Sequence, residues 1–335
     1  KSIAEDEKNR NNFANYQELK RVDRTYDDTI FLGRPQSIDL IGNWFAIFDA
    51  YDKQMVTWVS KDLKKTKRGF TRGIGPGEFS GGIKFYPSKN ENKISIFENG
   101  KKSLKTYFTN DVLSDDFSHP VSEMNIELSN HRTIPLDFYY VFPEARIDKK
   151  LFSIVNSNTG EERRFGEFSG ETTSNFHADS RYIYMLYQHI VDVNQEKSII
   201  VCAGTESDYL ALYQVTDNKI NLLKQYQTYK TDRNINEFEQ GVSAKPNDST
   251  MRAYIALHVG KKYLYALYIG CKQIELKNNR SAYLQVFDWE GNFVKGYKLD
   301  APVYDLTVDE ENKLAYTIFT GPEPHIRVYQ LDGLK

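Results

Sequence analysis

The feature that most constrains the fold is a strand hairpin that recurs six times along the chain. Each copy joins two runs of aromatic and β-branched residues through a short turn, a pattern typical of strands in a sheet. The second run of each hairpin begins at Met55, Ser103, Lys150, Asp208, Ala282 and His325. Most copies are spaced by about 40–50 residues, the length of a four-stranded propeller blade. The repeat therefore predicts one four-stranded antiparallel sheet per copy.

The sixth copy lacks an outer strand, because the sequence stops at Lys335 soon after "HIRVYQLDG". Near the other end, Tyr16 to Asp23 ("YQELKRVD") has the polarity of a strand but no sheet of its own. We therefore expect an all-β fold, a single six-bladed β-propeller over residues 16–335, closed by an N-terminal outer strand in the last blade. Residues 1–15 are predicted to be a polar tether, with a helix before Tyr16 as the alternative.

Composition argues against several classes of protein. With a formal net charge of -2, the chain lacks the excess of basic residues that a dedicated nucleic-acid binder carries. No run approaches the roughly 18 apolar residues of a membrane-spanning helix. Cys202 and Cys271 are the two cysteines, too few for a disulfide framework. They could pair, but two reduced and buried thiols are favoured.

The glycine-rich stretch "RGFTRGIGPGEFSGG", Arg68 to Gly82, invites comparison with phosphate-binding loops. Such loops lead into a helix whose N-terminus meets the phosphate, and a Walker loop also needs Gly-Lys-Ser/Thr. Here Glu78 follows Gly77, and the next residues, "SGGIKFYP", are typical of a strand. Pro76 between two glycines indicates a tight turn. We therefore expect a structural turn without a phosphate site.

No catalytic or metal-binding pattern stands out in the sequence. The histidines have no i,i+4 pair of the helical zinc type; they are His119, His131, His177, His189, His258 and His325. They could converge at a propeller axis, but isolated polar histidines are favoured. A Gly-x-Ser-x-Gly elbow and a calcium loop are both absent. We expect neither a cofactor nor a metal site, and the sequence leans against an enzyme.

Two stretches resemble a known family. "RGIGPGEFSGGIKFYP" resembles the linker between blades of NHL-type and TolB-like six-bladed propellers, and Tyr283 to Leu331 resembles the last two TolB-like blades of Bacteroides-type bacteria. The resemblance implies a protein exported to the periplasm or outer-membrane surface of a Gram-negative cell envelope. It also implies a lipoprotein whose anchor would lie upstream of Lys1, the non-Met residue at which the sequence begins.

Any function is expected on one face of the propeller. Connections from second to third strands, and from each outer strand to the next inner strand, leave a four-stranded blade at the same end. This face would hold the glycine-rich stretch and the connection Asn234–Ser249, which we predict to be a loop with one helical turn. The candidate binding residues on its rim are Arg34, Asp49, Tyr51, Arg72, Glu78, Arg146 and His325.

These features favour a non-catalytic binding module that contacts a protein or glycan through the loop-rich face. We expect a monomer without a transmembrane span and without nucleic acid as a partner. The alternative is a carbohydrate-active lyase or hydrolase with its site in the central funnel. That alternative requires His, Arg, Tyr and carboxylate side chains that converge around the axis.

Overall fold

The computed structural model describes residues 15–22, 30–89, 92–125, 132–143, 150–167, 187–216, 219–227, 233–238, 241–277, 282–319 and 321–334. The chain divides into two compact units. The first unit contains Lys20–Pro135 and Pro302–Lys335, and the second contains Lys1–Leu19 and Leu136–Ala301. Residues 1–14 of the predicted tether lie outside the described residues.

Almost all regular structure in the described residues is β-strand. In chain order the strands are β1 (Tyr16–Glu18), β2 (Lys20–Arg21), β3 (Pro35–Ile41), β4 (Trp44–Asp49), β5 (Gln54–Ser60), β6 (Thr66–Thr71), β7 (Ile83–Pro87), β8 (Lys93–Glu98), β9 (Ser103–Phe108), β10 (Ser122–Asn125), β11 (Ile134–Leu136), β12 (Tyr139–Pro143), β13 (Lys150–Asn156), β14 (Glu162–Glu167), β15 (His189–Asn194), β16 (Ile199–Gly204), β17 (Leu210–Val215), β18 (Ile220–Tyr226), β19 (Arg233–Phe238), β20 (Gly241–Pro246), β21 (Met251–Val259), β22 (Leu264–Lys272), β23 (Tyr283–Phe287), β24 (Phe293–Lys298), β25 (Val303–Asp309), β26 (Leu314–Phe319) and β27 (His325–Gln330). One short α-helix, α1 (Thr109–Leu113), and one 3-10 helix, Gln273–Lys277, complete the elements. No helix among the described residues has the length and apolar character needed to cross a bilayer.

The strands form six blade-like sheets, which confirms the predicted six-bladed β-propeller with four-stranded antiparallel blades. We number the sheets by their first strands in chain order: β3–β6, β7–β10, β11–β14, β15–β18, β21–β24, and β25–β27 completed by β2. The predicted hairpins match the structure closely. One first strand is displaced, because the stretch expected from Tyr182 lies partly outside the described residues and the described strand begins at His189.

The first unit holds the sixth, first and second sheets, which pack face to face. Phe45 of the first sheet contacts Tyr316 of the sixth at 4.3 Å between ring centroids. On the other side, Trp58 contacts Phe85 of the second sheet at 6.1 Å. The middle strands β4 and β5 are therefore buried on both faces, and polar–apolar alternation disappears from their sequences.

The second unit holds the third, fourth and fifth sheets, packed by the same principle. Phe152 of the third sheet meets Tyr213 of the fourth at 5.2 Å. Tyr226 of the fourth sheet meets Phe287 of the fifth at 5.9 Å. Cys202 lies in this unit and Cys271 at the end of β22; both are buried free thiols, as the sequence favours.

The connection Asn234–Ser249 corrects our expectation of a loop with a helical turn. It forms the antiparallel hairpin β19–β20. Arg233 lies at the start of this hairpin, and its side chain is 5% exposed. It forms a bidentate ion pair with Glu206, with Nη2 at 2.6 Å from Oε1. Its Nη1 donates to the carbonyl of Ala244. A contact across 27 residues of sequence fixes the hairpin, and local patterns do not reveal it.

The N-terminal segment completes the last sheet, as predicted. Lys20 and Arg21 of β2 pair antiparallel with Gln330 and Tyr329 of β27. The preceding strand β1 pairs in parallel with β24 of the fifth sheet, which the sequence does not indicate. The edge of that sheet is thereby covered, which protects its open hydrogen-bonding groups.

Tyr16 anchors β1 to the fifth sheet through packing and one buried hydrogen bond. Its ring lies against Gly296, where a Cβ atom would approach within 2.5 Å. Its hydroxyl accepts a hydrogen bond from Gln285 Nε2 at 2.8 Å, and Gln285 Oε1 accepts one from Tyr254 at 2.9 Å. Burial raises the pKa of Tyr16 to about 12, so this hydroxyl stays protonated at neutral pH.

We expect Tyr16→Phe to lower the free energy of unfolding by about 1–2 kcal/mol, because Gln285 Nε2 loses its acceptor while buried. Urea denaturation measures this change. The matched control is Gln17→Ala on the exposed side of the same strand, which should alter stability by less than about 0.5 kcal/mol. Equal stability of Tyr16→Phe and the wild-type protein would contradict the assignment.

Candidate functional site

The glycine-rich stretch is a structural turn, as expected. Glu78 N–H donates to the carbonyl of Gly75 at 3.1 Å, and Gly77 has a φ of 71°. With Pro76 in the preceding position, these features identify a type II turn. The chain then enters strand β7 and not a helix, so the element that a phosphate loop requires is missing.

Glu78 folds back onto this turn. Its Oε2 accepts a hydrogen bond from Gly75 N–H at 2.9 Å. A Cβ atom at Gly73 would lie 1.9 Å from the same oxygen, so the glycine makes room for the carboxylate. Lys101 Nζ donates to the carbonyl of Glu78 at 2.5 Å. The Glu78 side chain therefore braces the loop internally.

A buried aromatic cluster lies beneath the loop. Phe70 has a φ of 62°, a left-handed conformation that costs a bulky residue about 1–3 kcal/mol. Its ring contacts Phe79 at 4.7 Å and Phe117 at 4.5 Å, and its N–H donates to Asp115 Oδ1 at 2.9 Å. These contacts offset the strain, and they give the loop above a rigid base.

Asp49 holds the neighbouring loops from within. Its side chain is 1% exposed. Oδ2 accepts a hydrogen bond from Gly33 N–H at 2.7 Å, and Oδ1 accepts from Arg34 at 2.7 Å and Tyr51 at 3.0 Å. Three backbone donors thus satisfy one buried carboxylate, which fixes where the side chains of Arg34 and Tyr51 leave the backbone.

Large apolar side chains project from these braced loops into solvent. Phe31 is 63% exposed, Tyr51 73% and Ile74 88%. The rings of Phe31 and Tyr51 lie 6.4 Å apart and meet at 72°. Tyr51 also packs on Gly33, where a Cβ atom would approach within 2.7 Å. We call the set Phe31, Arg34, Tyr51, Arg72 and Ile74 the loop surface.

Two arginines complete the loop surface. Arg72 Nη2 donates to the carbonyl of Ala50 at 3.1 Å, and its backbone N–H donates to the carbonyl of Lys53 at 2.7 Å. Arg34 is exposed, and no side chain in the described part of the protein pairs with its guanidinium. The structure thus brings together five of the seven predicted residues: Arg34, Asp49, Tyr51, Arg72 and Glu78.

The other two predicted residues are placed differently. His325 is held within its own hairpin, with its ring 4.8 Å from that of Phe319. Its Nδ1 lies 2.8 Å from the carbonyl of Glu323, and its Nε2 accepts a hydrogen bond from Arg327 at 3.4 Å. Arg146 lies outside the described residues.

Phe31 and Ile74 are the members of the loop surface that sequence reasoning missed. Ile74 stands between glycines in "GIGPG", and Phe31 precedes "LGRP". No local pattern distinguishes them, because Leu32 and Phe79 stand in the same two turns and are buried.

A second cluster of charged residues lies on the first strands of three sheets in the first unit. Asp39 of β3 accepts a hydrogen bond from Lys84 Nζ of β7 at 2.8 Å. Asp305 of β25 accepts hydrogen bonds from the N–H groups of Ile38 at 3.0 Å and Leu306 at 2.9 Å. Desolvation raises the pKa of Asp305 to about 6, Lys84 opposes the shift and Asp39 adds to it. We call Asp39, Lys84 and Asp305 the inner-strand cluster.

Within the described ranges, no three His, Cys, Asp or Glu side chains are grouped so that they could hold a metal ion.

Comparison with known proteins identifies relatives by family and by fold. The sequence model of a family described as TolB-like, 6-blade propeller-like, matches residues 14–311. A solved member of the DUF4221 family from Bacteroides vulgatus is 12% identical with a TM-score of 0.56, and the match covers 93% of this chain and 97% of that chain. A Bacteroides fragilis protein, provisionally described as exported, is 13% identical with a TM-score of 0.53, covering 93% and 94%. No curated protein sequence matches this chain.

We expect Asp49→Asn to lower the free energy of unfolding by about 2–4 kcal/mol, because an amide cannot satisfy the three backbone donors that the carboxylate accepts. The control is Asp52→Asn, which removes a partly exposed ion pair to Arg68 and should cost less than about 1 kcal/mol. Denaturant unfolding compares the two variants. Equal losses would show that Asp49 does not brace the loops.

The inner-strand cluster predicts a pH dependence of stability. Asp305 has a pKa of about 6 in the folded protein against 3.8 for an unperturbed group, so the folded state binds the proton more tightly. Stability from this group is greatest below pH 3.8 and is lost as the pH rises towards 6. Relative to Asp305→Asn, the wild-type protein should lose about 1–2 kcal/mol over that range. A difference between the two proteins that does not change with pH would contradict this prediction.

Proposed function

Because the chain belongs to the TolB-like six-bladed propeller family, we propose that it is a non-catalytic binding protein that contacts a protein or glycan through the loop surface. The observation that carries the proposal is the exposure of Phe31, Tyr51 and Ile74 on loops that are braced from below. The rings of Phe31 and Tyr51 lie 6.4 Å apart, and large apolar side chains exposed together on a folded protein mark interaction sites.

The contacts that hold the loops in place support a role in binding. Asp49 and Glu78 fix the backbone of the loops before any partner arrives. A surface that is already ordered loses little conformational entropy on association, so more of its contact energy appears as affinity. Rigid loops that present large apolar side chains are therefore suited to recognition.

Export to the cell envelope is part of the proposal. It is supported by the Bacteroides fragilis structural relative, which is provisionally described as exported. The proposed location is the periplasm or the outer-membrane surface of a Gram-negative bacterium, and the proposed oligomeric state is a monomer.

The inner-strand cluster supports a second candidate, a carbohydrate-active hydrolase or lyase. Burial raises the pKa of Asp305 to about 6, so this carboxyl group can hold a proton close to neutral pH, as a general acid must. This candidate requires that a sugar reach Asp39 and Asp305 together.

Two binding assays test the proposal: retention of labelled envelope proteins by the immobilised protein, and binding of the protein to a glycan array. The double variant Tyr51→Ser/Ile74→Ser should lose at least about tenfold in retention, because the exposed apolar area is removed. The matched control is Leu222→Ser/Leu223→Ser, which removes exposed apolar side chains from β18 and should leave retention unchanged.

Equal retention by both double variants would contradict the loop surface as the binding site. Glycan consumption that is abolished by Asp305→Asn but not by Tyr51→Ser/Ile74→Ser would favour the enzyme instead.

A further inference from the structure

We propose that the partner of the loop surface is a protein segment that presents a carboxylate beside an apolar side chain. This inference rests on the proposed binding function and specifies its ligand.

The charged side chains of the loop surface, Arg34 and Arg72, are both exposed cations, although the whole chain has a formal net charge of -2. The nearby carboxylates face elsewhere: Asp49 is 1% exposed, Glu78 folds back onto Gly75 N–H, and Asp52 pairs with Arg68 at 2.6 Å. The cations Arg34, Lys53 and Arg72 are exposed beside them. Charge complementarity therefore selects an anionic partner.

The two arginines retain the donors that a carboxylate requires. A guanidinium has five N–H donors in a planar fork. Arg72 uses one of them on the carbonyl of Ala50. The backbone of Arg34 is fixed through its N–H to Asp49 and its carbonyl to Ala50 N–H at 3.1 Å. Both can bind a carboxylate in the bidentate mode with little loss of backbone freedom.

The apolar part of the surface favours a protein over a glycan. Phe31 and Tyr51 meet at 72°, so the pair forms a notch and not a flat platform for stacking. Ile74, the most exposed of the three, is aliphatic. A sugar would bring hydroxyl groups against it and lose their hydration, whereas a leucine or phenylalanine side chain would gain from the contact.

An array of short peptides tests the inference directly. One set carries Asp or Glu next to Leu or Phe, a second replaces the acid by Lys, a third replaces the apolar residue by Ser, and polygalacturonate serves as an acidic glycan. We expect the wild-type protein to prefer the first set by about tenfold or more over the others, with binding that weakens as salt rises.

Arg34→Glu should reduce binding of the acidic–apolar peptides by about tenfold or more, and Arg34→Lys should reduce it less. The matched control is Lys219→Glu, an identical charge change at an exposed residue of the second unit, which should have no effect. Unchanged unfolding curves establish that each variant is folded.

The outcomes separate this inference from the proposed function. Binding of polygalacturonate in preference to every peptide set, or peptide binding that is insensitive to Arg34→Glu while Tyr51→Ser/Ile74→Ser abolishes it, would overturn the inference alone. Retention that survives Tyr51→Ser/Ile74→Ser would overturn the proposed function together with it.

Discussion

The buried carboxylate of Asp49 is the contact on which the loop surface depends. Its oxygens accept the N–H groups of Gly33, Arg34 and Tyr51, so one side chain at the end of β4 joins two loops. A buried charge is tolerable only when hydrogen bonds replace its water, and three backbone donors do so here. The position of the exposed side chains is thus determined by a residue that is itself hidden.

The glycine-rich stretch follows the same logic. Glu78 turns inward onto Gly75, and Gly73 provides the space that the carboxylate needs. Below it, the left-handed Phe70 is held by Asp115 and by the rings of the aromatic cluster. A strained backbone conformation persists only where the surrounding contacts hold it in place, and the dense packing around Phe70 does so. The loop that carries the exposed Ile74 is therefore held rigidly.

Local patterns were sufficient for most of the fold. Middle strands such as β4 and β5 are rich in apolar residues and lack polar–apolar alternation, and the missing strand of the last sheet was visible in the polarity of Lys20 and Arg21. Contacts between residues far apart in sequence were not predictable. The hairpin β19–β20 depends on Arg233 and Glu206, and the parallel pairing of β1 depends on the space above Gly296. The sequence placed Arg34, Tyr51 and Arg72 on one face, but it could not show that Asp49 and Glu78 turn inward.

Amide hydrogen exchange of the protein without any partner tests most directly whether the loop surface is preformed. The amides of Gly33, Arg34, Tyr51 and Gly75 lie in connections between strands, where unstructured loops exchange at the rates of free peptides. The hydrogen bonds to Asp49 and Glu78 predict strong protection of all four. Exchange at free-peptide rates would show that these loops are not held in place, and it would contradict the account of the binding surface.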